Sequence, residues 1–106
     1  MKPWEIRTYA FPGAGDHAAV IVSHPLRAER KDTVEVLLCT TLRPAHQPAP
    51  HEVVLNGANG LNWSTLCRCD LVYSVPRGHL TELRGRVSIE RRRDIIRKII
   101  SSHGWV

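Results

Sequence analysis

The last quarter of this chain contains the one segment whose pattern predicts a long helix. Residues 88–103 contain neither proline nor glycine, Ser88 suits the N-cap of a helix, and Gly104 suits the position just after its end. Apolar residues in this segment recur at helical spacing, which predicts a helix with one buried stripe. That stripe consists of Ile95, Ile96, Ile99 and Ile100.

Short strand-like runs, separated by turn residues, precede the predicted helix. A proline-rich loop at 43–50 and a turn at 56–60 divide the later runs, and Leu26–Lys31 is long enough for one helical turn. Short strands followed by one terminal helix predict a mainly β fold with a C-terminal α-helix, a small and strongly bent sheet or barrel that forms a single domain over residues 1–106. The predicted strands are Trp4–Phe11, Ala18–Ser23, Val34–Thr41, Glu52–Leu55, Leu66–Val75 and a short Leu80–Arg84.

Positive charge is concentrated in the second half of the chain. Residues 1–53 carry six Lys/Arg and six Asp/Glu, whereas residues 54–106 carry nine and four, so the whole net charge of +5 lies there. A one-sided positive field favours a polyanionic or acidic partner, although a solvated basic helix has the same composition. With no apolar run of about 20 residues, no secretory signal and three cysteines that cannot all pair, we expect a cytoplasmic protein.

The segment TLCRCDLVY, residues 65–73, places two opposite charges inside an apolar run. Residues two apart in a strand share a face, so Arg68 and Asp70 are predicted to point the same way, about 7 Å apart. Cys67, Cys69, Leu71 and Tyr73 then take the inward face. The pair is either a surface ion pair without function or part of a site.

Other polar residues add to this site without suggesting a metal or cofactor. Thr40 and Thr41 end a predicted strand, where hydroxyls either cap the next turn or contact a ligand such as phosphate. Six histidines are scattered without metal-ligand spacing, and Cys67 and Cys69 form only a CxC. We therefore expect no metal and no cofactor, and any catalysis to rely on Arg, Asp, Thr and His.

At these residues the chain resembles the PemK/MazF family of toxins from type II toxin–antitoxin systems. The resemblance runs from about Trp4 to Ile100 and rests on the order WEI, AVIVS, VLLCTT, EVVLNG and LCRCDLVYSV, then an amphipathic helix. It implies an SH3-like barrel, a homodimer, an acidic antitoxin as partner, and sequence-selective, metal-independent cleavage of single-stranded mRNA. The products implied are a 2′,3′-cyclic phosphate and a 5′-hydroxyl.

The resemblance also implies roles for individual residues. Asp70 and Arg68 match the acid–base pair of PemK-like members, and Thr40 matches a threonine that MazF-like members place against the scissile phosphate. His17 occupies the position of an arginine in MazF-like members or, with a gap, that of a loop histidine in PemK-like members. We expect Asp70 to be the base, Arg68 to stabilise charge and His17 to be the general acid. The predicted RNA contacts are Thr41, Arg43, Arg77, Arg84, Arg86 and Trp63.

Two non-enzymatic alternatives fit the same residues. In one, the barrel is a toxin that binds a protein partner, as gyrase poisons do, or binds RNA without cutting it. In the other, it is a plain SH3-like interaction module whose Arg68–Asp70 face is an ion pair.

Overall fold

The computed structural model describes residues 1–43, 45, 47–56, 61 and 64–104. The described residues form six antiparallel strands in a single sheet, ordered β4-β5-β3-β2-β1-β6 and curved into a half-barrel. The predicted mainly β fold with a C-terminal helix is confirmed. The strands are β1 (Glu5–Phe11), β2 (Gly15–Ile21), β3 (Thr33–Thr41), β4 (Glu52–Leu55), β5 (Thr65–Pro76) and β6 (Leu83–Arg86), and the helices are α1 (Pro25–Arg30) and α2 (Ile89–Ser102).

Most predicted boundaries lie within two residues of the observed ones. The two exceptions are the starts of β2 and β6, and a turn explains each. β2 begins at Gly15 and not at Ala18, because a tight hairpin pairs Phe11 with Gly15. β6 begins at Leu83 and not at Leu80, because Leu80 closes a 3₁₀ turn and only then does the chain pair with β1. Residues 57–60 of the predicted turn lie outside the described residues.

Helix α2 has the predicted cap and stop. The hydroxyl of Ser88 accepts a hydrogen bond from the backbone N–H of Arg91, and Gly104 has φ of 71° just beyond the last turn. The prediction of a four-residue buried stripe is wrong at Ile96, which is 44% exposed. Ile95 is fully buried, and the rotation of about 100° per residue turns Ile96 away from the sheet.

Apolar side chains form one core on each face of the sheet. The core under α1 includes Phe11, Val36 and Ala28, and the core under α2 includes Leu37, Val53 and Ile95. Because both faces of β3 are covered, its residues 36–39 form a continuous buried run. In the described part of the chain, no helix has the length and apolar character needed to cross a membrane.

Three thiols meet inside the core under α2. Cys39, Cys67 and Cys69 are at most 1% exposed, and all three are reduced. Hydrogen bonds with the thiols of Cys39 and Cys69, together with burial, raise the pKa of Cys67 well above its usual range. The cysteines therefore pack as small apolar residues.

A buried carboxylate ties β1 to β6. Nε of Arg7 donates to Oε1 of Glu5 at 2.9 Å, and the guanidinium of Arg86 lies 3.5 Å from the other carboxylate oxygen. Burial works to raise the pKa of Glu5, but hydrogen bonds from Arg7 and the Lys2 backbone outweigh it, so the pKa is lowered. The ionised form is thus the one the fold stabilises.

Candidate active site

Strand β5 turns a corner at the residues that the sequence singled out. On β3, Cys39 pairs with Cys67 of β5, and Leu37 pairs with Val72. Between these two pairs the chain advances by two residues on β3 but by five residues on β5. The intervening residues of β5 bulge away from β3, and the backbone N–H of Cys69 donates to the carbonyl of His51 at 2.9 Å instead. Beyond the corner the alternation of faces is lost, which is why Leu71 is 47% exposed and its predicted inward position is wrong.

Thr40 and His17 line one cleft of about 370 Å³, which we call the threonine cleft. His17 lies on β2, and its Nε2 is 3.0 Å from the carbonyl oxygen of Ala14. A smaller recess of about 180 Å³ shares both residues and extends to Arg84. The threonine cleft is lined by His17, Thr40, Thr41, Arg43, Glu52 and Leu66.

Asp70 does not line the threonine cleft. It lines a second cleft of about 340 Å³, which we call the aspartate cleft, between the start of β4 and the end of α2. There its Oδ2 lies 3.6 Å from Nε2 of His51, and both side chains are about one third exposed. The remaining residues of the aspartate cleft are Pro50, Lys98, Ser101 and Ser102.

The last turns of α2 hold both sides of the aspartate cleft. Nζ of Lys98 donates to the carbonyl of Pro50 at 2.7 Å, next to His51. The hydroxyl of Ser102 donates to the carbonyl of Cys69 at 3.3 Å, next to Asp70. Together with the Cys69–His51 backbone bond, these contacts fix the two chain segments that carry the His51–Asp70 pair.

The two clefts meet at two consecutive residues, His51 just before β4 and Glu52 at its start. His51 lines the aspartate cleft, and Glu52 lines the threonine cleft and stands opposite Arg68 in the β4–β5 register. Arg68 is half-buried, and along β5 it lies between Leu66, which lines the threonine cleft, and Asp70, which lines the aspartate cleft. The two clefts are thus lined by neighbouring stretches of β4 and β5.

The other predicted RNA contacts are dispersed. Arg43 lines the threonine cleft, and Arg84 lies in the adjoining recess, where its Nε donates to the hydroxyl of Thr8 at 2.7 Å. Arg86 lines a different concavity, with Trp4 and Arg92, and Arg77 follows the far end of β5. Trp63 lies outside the described residues. These assignments stay predictions.

Sequence reasoning missed three residues of the site: His51, Glu52 and Lys98. The approach of His51 to Asp70 depends on the β4–β5 register and on the corner in β5. Lys98 contacts Pro50 across a separation of 48 residues, which the packing of α2 brings together. One clue was present, since His51 directly precedes a predicted strand that had to pair with its neighbours.

Comparisons with known proteins agree on one family. The model of a family described as PemK-like, MazF-like toxin of type II toxin–antitoxin system matches residues 2–103. No curated protein sequence is a significant match.

Solved structures share the fold at low sequence identity. The Mycobacterium tuberculosis toxin MazF-mt6 has a TM-score of 0.82 and 18% identity, covering 94% of this chain and 96% of its own. A mycobacterial endoribonuclease in complex with its cognate antitoxin has a TM-score of 0.83 and 18% identity, covering 98% and 95%. MazE–MazF from Deinococcus radiodurans has a TM-score of 0.79 and 17% identity, covering 98% and 95%. At these identities the likeness establishes the fold.

Proposed function

This chain belongs to the family of PemK-like, MazF-like toxins of type II toxin–antitoxin systems, and on that premise we propose that it is an endoribonuclease. The proposed reaction is metal-independent, sequence-selective cleavage of single-stranded mRNA. The observation that carries the proposal is that Asp70 and Thr40 line two clefts that meet at the adjacent residues His51 and Glu52, with Arg68 opposite Glu52 in the β4–β5 register.

The side chains match the demands of cleavage by the RNA's own 2′-hydroxyl. Asp70 is one third exposed, so a ribose can reach its carboxylate, which takes the proton of the 2′-hydroxyl. The attacking oxygen forms a bond to phosphorus as the bond to the 5′-oxygen breaks, leaving a 2′,3′-cyclic phosphate and, after protonation, a 5′-hydroxyl. Arg68 offers a planar guanidinium to the developing charge, and the Thr40 hydroxyl contacts a phosphate oxygen.

The threonine cleft is the proposed path of the neighbouring nucleotides. Arg43 and Thr41 line it with Thr40, and Arg84 lies in the recess beside it. Because +5 is the net charge of the chain, RNA binding should weaken as salt rises. The assignment of His17 as the general acid stays a prediction, and its place beside Thr40 suits a phosphate contact equally well.

The remaining parts of the proposal concern the protein's surroundings. We propose a single catalytic domain over residues 1–106, a homodimer, a cognate acidic antitoxin as inhibitor, and a cytoplasmic location. Exposed apolar side chains such as Leu71 and Ile96 support coverage by a second protein. The basic charge supports an acidic partner, and the three reduced cysteines support a reducing compartment.

The test is incubation of the purified chain with mixed-sequence single-stranded RNA and a chelator. We expect cleavage at a limited set of sites, with 5′-hydroxyl ends that a polynucleotide kinase labels directly. Asp70→Ala should abolish it, whereas Asp94→Ala, at a surface carboxylate paired with Arg91, should not. RNA binding without cleavage by the wild type would instead establish a non-catalytic module.

A further inference from the structure

The imidazole of His51 and the carboxylate of Asp70 face each other in the aspartate cleft. Nε2 of His51 is 3.6 Å from the Asp70 carboxylate, and the two residues line the same open cleft. Within the described ranges, no hydrogen bond is made by Nδ1 of His51. That nitrogen is thus available to a ligand while Nε2 faces the carboxylate.

His17 does not share this geometry. It is two strands away from β5 in the sheet order, in the threonine cleft, with its Nε2 at the carbonyl of Ala14. The 2′-oxygen and the 5′-oxygen of one phosphodiester are bonded to or face the same phosphorus atom. In an in-line displacement these oxygens take opposite apical positions on that phosphorus, so the base and the acid have to flank one phosphate within a single cleft, as Asp70 and His51 can.

We propose that His51 is the general acid of the cleavage reaction. This inference rests on the proposed function and deepens it. His51 acts as an imidazolium, with Nε2–H directed at Asp70 and Nδ1–H at the 5′-oxygen. As the 2′-hydroxyl gives its proton to Asp70 and attacks phosphorus, Nδ1 gives its proton to the departing 5′-oxygen. Asp70 ends protonated and His51 neutral, and water in the cleft returns the proton to Nδ1.

Three charged groups lie around His51. Asp70 faces it from β5, Lys98 lines the same cleft from α2, and Glu52 adjoins it on β4. Lys98 also acts as a positioning residue, since its bond to the carbonyl of Pro50 holds the segment that carries His51.

The decisive experiment changes the leaving group. An oligonucleotide containing the bond that the wild type cleaves fastest is made with either oxygen or sulfur at the 5′-bridging position, since a thiolate departs without a proton. With oxygen, His51→Ala should be slower than wild type by about 10²–10⁴-fold. With sulfur, it should regain a rate close to that of wild type, while Asp70→Ala stays inactive.

Matched variants separate this role from structural damage. His51→Gln should behave like His51→Ala, so the test survives poor folding of either variant, which thermal melting checks. His79→Ala, at an exposed histidine in the 3₁₀ turn, should cleave both substrates like wild type. The inference is overturned if His51 variants cleave the oxygen substrate normally, if sulfur fails to restore them, or if sulfur restores His17→Ala instead.

Failure of the inference and failure of the proposed function give different results. If the wild type cleaves RNA and Asp70→Ala does not, but His51→Ala is unaffected, the ribonuclease stands and His51 is not its acid. If the wild type cleaves no RNA, both are overturned.

Discussion

The imidazole of His51 and the carboxylate of Asp70 face each other at 3.6 Å across the junction of β4 and β5. Neither residue is held there by its own side-chain hydrogen bonds in the described part of the chain. The segments on either side are held by a backbone bond from Cys69 to His51 and by side-chain bonds from Lys98 and Ser102 to backbone carbonyls. The geometry of the pair is therefore a property of the fold.

The pH dependence of cleavage should identify the acid. With Asp70 ionised and His51 protonated, the rate rises with pH as the carboxyl loses its proton and falls as the imidazolium does, giving a bell. Single-turnover rates from pH 5 to 9 should show that His51→Ala lacks the alkaline limb. His17→Ala should keep it, and a lost limb in that variant would assign the acid to His17.

Thr40 should contribute to cleavage through its hydroxyl group and not through its methyl group. Thr40→Ala removes a phosphate contact and should lower kcat/KM by about 10–100-fold, the equivalent of about 1.4–2.8 kcal/mol. Thr40→Ser keeps the hydroxyl and should lose less than about threefold. Equal losses in the two variants would show that Thr40 serves only in packing.

Arg43 should contribute to the salt dependence of RNA binding. Each phosphate contact adds about 0.7 to the slope of log K against log salt for a single strand. Arg43→Ala should reduce that slope by about this amount in titrations with an uncleavable 2′-deoxy analogue. Arg93→Ala, on the exposed face of α2, is the matched control and should leave the slope unchanged.

Alkaline pH should destabilise the fold through Cys67. Its pKa is raised in the folded state, so its contribution is fully present below the unfolded thiol pKa of about 8.5. Above that pH the unfolded chain loses the proton first, and stability should fall by about 1.4 kcal/mol per pH unit until the folded pKa is reached.

Urea unfolding with a reductant at pH 7.5, 9 and 10 measures this slope. Cys67→Ala should be less stable at pH 7.5, because it leaves a cavity, but should lose less stability on going to pH 10. Parallel losses in the two proteins would place the effect elsewhere.

Acid should destabilise the fold through Glu5. Its pKa is lowered in the folded state, so its contribution is present above the unfolded value of about 4.3 and is lost as pH falls through the folded pKa. Arg7→Ala leaves the buried carboxylate with the Lys2 backbone and the longer contact to Arg86, and should cost about 1–3 kcal/mol at pH 7. Glu5→Gln should flatten the decline of stability between pH 5 and 3, which urea unfolding at each pH would show.

Local pattern was sufficient for the parts of the fold that neighbouring residues decide. The bounds of β4 and the Ser88 cap of α2 were predicted correctly, because apolar alternation and capping are written in adjacent residues. The start of β2 was not, since Gly15 and Asp16 have low strand propensity and join the sheet only through their pairing with β1.

The site could be predicted residue by residue but not as an arrangement. Arg68, Asp70 and Thr40 were singled out, yet simple alternation on β5 failed to show that a corner separates Asp70 from Thr40. The extra residues that make this corner become visible only in the register with β3. His51 was overlooked for the same reason, because its contact with Asp70 spans 19 residues of sequence and depends on the β4–β5 pairing.

The attachment of α2 has a consequence for control of the proposed reaction. Helix ends open more readily than helix centres. Here the last two turns also donate side-chain hydrogen bonds to the loop before β4 and to the corner of β5. A protein that detached those turns, or held them in place, would change the rate of proton transfer without entering either cleft.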